Sequence, residues 1–218
     1  MPIWPRCGRL WRVSRFSMGP MGSTLHQPWV PWVLLGIAAA LIIAAVWLVR
    51  WYRRRRARRA LQSAVAAAGM EHLIDMAVPD GMGGSYHVDF LLLSVHGILI
   101  VDVRQVQGNI FGGDQMAEWT VMDGPHRFTF VNPQSGLYDR IAAVKAIVGE
   151  VPIEGRVVFT REGRFPKGLP KWTVMIDELA AEFPPFEADV AEAMITHYRE
   201  AWERLRTSVR PSATPHMR

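Results

Sequence analysis

Residues 28–49 read PWVPWVLLGIAAALIIAAVWLV, 22 residues without a charged side chain. A helix needs about 20 apolar residues to cross the hydrocarbon core of a bilayer. Backbone polar groups in lipid must be satisfied within the segment, so a stretch of this kind crosses as a helix. Trp29, Trp32, Trp47, Trp51 and Tyr52 stand near its two ends, where amphipathic rings settle at the headgroup level. A cleaved signal peptide has a shorter apolar region, about 7–15 residues, followed by a small-residue cleavage site; here arginines follow instead. The expectation is a transmembrane helix over 28–49, preceded by an N-terminal segment over 1–27.

Basic residues orient such a helix. Arg50, Arg53, Arg54, Arg55, Arg56, Arg58 and Arg59 follow the span, while Arg6, Arg9, Arg12 and Arg15 lie further off on the other side. The denser cluster predicts a single-pass protein of the inner (cytoplasmic) membrane with residues 50–218 in the cytoplasm. Translation from Met18 or Met21 would leave a short neutral N-terminus, so a misassigned start over 1–27 is expected. Residues 50–68 continue as a basic juxtamembrane helix. Anionic headgroups attract such clusters, which makes membrane lipid the expected partner of residues 28–59.

This segment also accounts for the net charge of +5 and the pI of 9.9. Residues 1–59 hold 11 of the 25 basic residues and no acid; residues 60–218 hold 14 basic and 20 acidic residues, a net −6. The net charge of the soluble part therefore does not mark a polyanion surface. A single cysteine, Cys7, excludes an internal disulfide and a multi-cysteine zinc site.

The soluble part divides into a folded domain over 69–206 and a tail over 207–218 expected to lack order. Residues 57–68 are rich in Ala, Arg and Leu and extend the first helix to Gly69. Residues 72–78 suggest a strand, and 79–85 (PDGMGGS) a loop. The apolar runs 86–94 (YHVDFLLLS) and 97–103 (GILIVDV) read as a hairpin buried on both faces. Residues 118–122 and 127–131 flank Asp123-Gly124-Pro125-His126 as a second hairpin. Residues 134–148 carry Ile141, Val144, Ile147 and Val148 along one helical side. Strands over 155–160 and 172–176 and a long helix over 186–206 complete an α/β (α+β) domain, one mixed sheet flanked by helices.

Two residues depart from this pattern. Asp89 sits inside YHVDFLLLS and Asp102 inside GILIVDV. A buried carboxylate is paired, protonated or bound to a metal. A turn centred on His96 would set Asp89 opposite Val103, with Asp102 one position away. Arg104, two residues beyond Asp102, shares its face. Two carboxylates can hold Mg²⁺ through hard oxygen ligands, and a nearby cation can stabilise charge on a phosphate. Pairing with Arg104, or a loop cap, explains the same acids without chemistry.

At these residues the chain resembles the nuclease-related domain (NERD) family, regarded as part of the PD-(D/E)XK nuclease-like superfamily. The resemblance runs from about Tyr86 to Thr160: HVDFLLLS, HGILIVDVR, Gly108-Asn109-Ile110, Gly113, Trp119, Phe130, Asn132-Pro133, an amphipathic helix and VVFT. It implies a restriction-endonuclease-like core and Mg²⁺-dependent cleavage of DNA or RNA, with nucleic acid as a partner. It also implies that Asp89 and Asp102 are the metal-binding acids and that Arg104 stands where the family has its catalytic lysine. Arginine keeps its charge, so it stabilises a transition state and serves poorly as a base. Residues 57–69 hold no acid where the family's helix offers a glutamate; Glu71 lies beyond them, and Gln134 follows Pro133 directly. A catalytically degenerate binding or scaffold module at the membrane is the alternative.

His72, His87 and His96 lie near these acids in the sequence, but no paired-histidine motif points to a histidine metal centre. Gly81, Gly83 and Gly84 match no phosphate-binding fingerprint. Trp119 and Trp172 are expected in the core rather than as base-stacking platforms.

Overall fold

The computed structural model describes residues 30–184 and 188–213. Segment 1–27 with its four arginines and Cys7, the first residues of the apolar span, the start of the predicted last helix and residues 214–218 lie outside the described residues.

Helix α1 runs Val30–Ala66. The chain forms two compact units, Met1–Arg54 and Arg55–Arg218. In the first, α1 carries large apolar side chains from Trp32 to Val49 that are all exposed, and by length and composition it could cross a membrane.

The second unit is the α/β domain. After the last turns of α1 come β1 (Glu71–Pro79), β2 (Ser85–Ser94), β3 (Gly97–Arg104), β4 (Gly108–Phe111), β5 (Glu118–Asp123), β6 (His126–Val131), α2 (Pro133–Val148), β7 (Ile153–Phe159), β8 (Gly163–Arg164), β9 (Thr173–Met175), α3 (Leu179–Glu182), α4 (Ala188–Ser208) and β10 (Arg210–Pro211). The expected mixed α/β fold is present, but with two sheets rather than one. Six strands follow the order β10-β1-β2-β3-β7-β9, and four follow β6-β5-β4-β8. In each, antiparallel neighbours combine with parallel pairs, β3–β7 and β7–β9 in the larger and β4–β8 in the smaller. Parallel strands need a long crossover; the one from β3 to β7 contains β4, β5, β6 and α2, so three strands of the second sheet are built inside it, and β8 joins them from beyond β7.

The period-2 pattern of β2 and β3 decides the layers. Phe90, Leu92, Leu99, Val101 and Val103 pack in one cluster with Leu61, Val65 and Ala68, which fall at i, i+4, i+7 on one face of a helix continuing into the turn after α1. Gly69 follows that turn; a Cβ there would stand 2.9 Å from Leu92 Cβ. Leu91, Leu93, Ile98 and Ile100 project to the other face and join Leu137 and Val144 of α2, Ile195, Trp202 and Leu205 of α4, and Trp119 of β5. Burying each such aliphatic side chain contributes about 1.5–3 kcal/mol. Trp119 is a core residue, as expected, in ring contact with Phe130, Phe159 and Phe165. Trp172 is not: it is 41% exposed, beneath the guanidinium of Arg156.

Residues 207–213 are not the disordered stretch expected. α4 continues to Ser208, β10 pairs with β1 at Met76 and Ala77, and Ser212 N donates to Asp75 O at 2.8 Å. The exposed edge of β1 offers backbone partners to any extended segment, and a segment that leaves α4 beside it takes them up.

Candidate metal and phosphodiester site

The site begins with a turn. β2 and β3 pair Ser94↔Gly97 through Phe90↔Val101, so the hairpin closes on the two residues Val95 and His96 rather than on His96 alone. Ser94 Oγ braces it, donating to Gly97 O and accepting from His96 N. Gly97 has φ +112°, where a Cβ would lie 2.2 Å from Pro152 O. A two-residue turn shifts the expected register by one. One step beyond Phe90↔Val101, Asp89 therefore faces Asp102 and not Val103. β1 pairs with β2 on the same arithmetic, Ile74↔Phe90 and Met76↔Val88, which sets Asp75 opposite Asp89. Three aspartates thus form a row across β1, β2 and β3.

The backbone ladder opens at this row. No pair joins Asp75 to Asp89 within β1–β2, and β2–β3 pairing stops at Phe90. Asp75 has a left-handed φ of +53°. Asp89 Oδ2 accepts from Val103 N at 2.8 Å, so a side chain takes the donor the ladder leaves. Asp89 Oδ1 and His87 Nε2 share a hydrogen bond at 3.0 Å, and the same nitrogen lies 3.7 Å from Asp75 Oδ1. That Asp75 oxygen is buried and accepts no hydrogen bond.

Cations gather on Asp102. Arg104 donates from Nη2 to Asp102 Oδ2 at 2.8 Å, and Arg140 Nη1 lies 3.5 Å from the same oxygen. Arg140 reaches in from α2 and also donates from Nε to His87 O. Asp89 and Asp102 are each 2% exposed. Burial, and next the charge of Asp102, push the Asp89 carboxyl above its ordinary range.

The structure therefore brings together Asp89, Asp102 and Arg104, the three site residues expected from the sequence, and adds Asp75, His87 and Arg140. Asp75 carried the signal that singled out Asp89, an acid within an apolar strand (HLIDMAV). Arg140 had no local signal, because its role depends on where α2 packs. His96 lies at the opposite end of the hairpin, edge-on to Phe183. Glu71 is absent from the row, bonded instead by Arg199 and Trp202 of α4. Asn132-Pro133-Gln134 anchors α2: Asn132 caps it by accepting from Gln134 N, and Gln134 Nε2 donates to Asp114 Oδ1 and Lys171 O.

Carboxylates from adjacent strands beside two guanidiniums define the chemistry open to this site. Acids attract a divalent cation, and fixed positive charge attracts a phosphate. The donor set fits a divalent ion: ligand atoms of Asp75, His87 and Asp89 lie within 4.8 Å of one another, Asp102 faces Asp89, and the buried Asp75 oxygen accepts no hydrogen bond. The family comparison agrees, as the nuclease-related domain model matches residues 51–160, just over half of the chain. The chain belongs to the nuclease-related domain family. No curated protein and no solved structure matches it.

Proposed function

We propose that the chain is a membrane-tethered nuclease-related protein that hydrolyses phosphodiester bonds of DNA or RNA with Mg²⁺ on the cytoplasmic face. The observation that carries this reading is the facing of Asp89 and Asp102 beside Arg104. Asp89 and Asp102 would hold the ion, which when bound supplies charge stabilisation and an activated water. Arg104, 32% exposed at its side chain, offers its guanidinium to the negative charge that grows on phosphate oxygens. Arg140 holds Asp102 in place and fixes the backbone of β2 at His87.

The tether reading rests on the exposed apolar part of α1 and on the arginines from Arg50 to Arg59. Those arginines would contact anionic lipid and keep residues 50–218 on the cytoplasmic side. A reporter fused to the C-terminus, active only in the cytoplasm, tests that orientation; activity of a periplasmic reporter would overturn it.

One observation favours a second reading, a degenerate binding module. Both guanidiniums already balance Asp102, and the stretch 57–69 offers no acid. Cleavage of single- and double-stranded DNA and of RNA by the full chain in detergent, with Mg²⁺ or Mn²⁺, beside Asp102→Ala, decides between them. Metal-dependent cleavage lost in the variant supports the nuclease; no cleavage by either protein supports the binding module.

A further inference from the structure

We infer that Asp75, His87 and Asp89 form a mixed nitrogen–oxygen ligand set that takes Mn²⁺ ahead of Mg²⁺, an inference that rests on the reading of a divalent ion at Asp89. Among the described residues these three offer ligand atoms that all lie within 4.8 Å of one another. His87 Nε2 stands 3.0 Å from Asp89 Oδ1 and 3.7 Å from Asp75 Oδ1. Ligands about 2.1 Å from one octahedral ion are about 3 Å apart when adjacent and about 4 Å apart when opposed. Both separations fall in that interval, so one ion could replace the proton now held between imidazole and carboxylate.

Charge distribution selects this side of the row. Asp102 is balanced by Arg104 at 2.8 Å and Arg140 at 3.5 Å. Among the described residues the ion-pair partner of both Asp75 and Asp89 is His87 rather than a lysine or arginine, and the buried Oδ1 of Asp75 accepts no hydrogen bond. A cation here relieves two carboxylates at once. The imidazole then decides which cation. Mg²⁺ keeps to oxygen ligands and gives up water reluctantly, whereas Mn²⁺ shares its taste for carboxylates but, as a first-row transition ion, also accepts an imidazole nitrogen, though less strongly than the ions after it in the series. Backbone contacts hold the ligands in place: Arg140 Nε on His87 O, and Ser212 N on Asp75 O.

The test is calorimetry on the full chain in detergent, stripped with EDTA and titrated with Mn²⁺ or Mg²⁺, for wild type, Asp75→Asn, His87→Gln and Asp89→Asn. Asparagine tolerates the left-handed backbone of position 75, and melting in EDTA checks that each variant is folded. The wild type is expected to bind Mn²⁺ about tenfold or more tightly than Mg²⁺. Asp75→Asn and His87→Gln should each weaken Mn²⁺ binding by about tenfold, with Mg²⁺ binding little changed by the histidine variant. Electron spin-echo modulation of Mn²⁺ in the wild type needs no variant, and a directly bound imidazole nitrogen is expected in it. Mn²⁺ bound without a nitrogen signal, and unchanged by both variants while lost in Asp89→Asn, overturns the inference and leaves the metal of the proposed function standing. No binding of either ion to the wild type overturns both.

Discussion

Asp89→Asn separates the energetic roles of this carboxylate most sharply. Asp89 is 2% exposed and faces Asp102 across the hairpin. Side chains directly opposed on antiparallel strands are about 5 Å apart. Two carboxylates at that distance repel by about 3 kcal/mol at an effective dielectric of ~20. Arg104 and Arg140 on Asp102 Oδ2 offset part of this, which leaves a net penalty of about 1–2 kcal/mol. The amide retains an acceptor for Val103 N–H, and its NH₂ faces His87 Nε2, which accepts in the Nδ1–H tautomer. In EDTA, Asp89→Asn should therefore raise Tm, by about 2–4 °C for each kcal/mol gained. Saturating Mn²⁺ should reverse the order: at about 100 times Kd an ion stabilises the native wild type by about 2.7 kcal/mol, and the variant lacks that gain. Calorimetric melts of both proteins with EDTA and with Mn²⁺ make the comparison. A lower Tm for Asp89→Asn in EDTA would refute the reasoning, since the carboxylate would then be held by favourable charge. An order unchanged by Mn²⁺ would remove the metal from this residue.

Other consequences follow from the same contacts. Because the folded pKa of Asp89 lies above its unfolded value of about 3.8, its contribution to stability is full below that value and is lost as pH rises through the folded pKa; urea unfolding in EDTA should show the advantage of Asp89→Asn growing as pH rises from about 4, and an advantage that shrinks would contradict it. Gln134→Ala strips Lys171 O and Asp114 of a donor and uncouples the α2 terminus, so denaturant midpoints should report a loss of about 2–3 kcal/mol. Gly97→Ala forces a Cβ to within 2.2 Å of Pro152 O at φ +112°; a loss of about 3 kcal/mol or more is expected in the same assay, and a neutral result would mean that the hairpin turn differs from the one described.

Local chemistry made much of the domain legible. The hairpin 86–103 announced itself through apolar runs with a short break, and the burial of β2 and β3 on both faces follows from those unbroken runs. Asp89 and Asp102 stood out because an acid in an apolar strand needs a partner. The register did not follow from the sequence: whether the turn holds one residue or two decides whether Val103 or Asp102 faces Asp89. β8 and β10 are two residues each, too short for any periodic pattern, and they exist only because β4 and β1 offer free edges. The second sheet was hidden for the same reason, as its strands resemble an extension of the first until the crossover folds back.

The sequence by itself determined the apolar helix, the charge division at residue 59, the two acids in apolar strands and the family resemblance, since each is a property of neighbouring residues. Tertiary structure alone decided that Asp75 and Arg140 meet those acids. His87 is two residues from Asp89, but Asp75 arrives from another strand and Arg140 from a helix 51 residues further along the chain from Asp89. Their convergence depends on strand register and on the packing of α2 against the sheet, and such long-range pairings leave no mark in local periodicity.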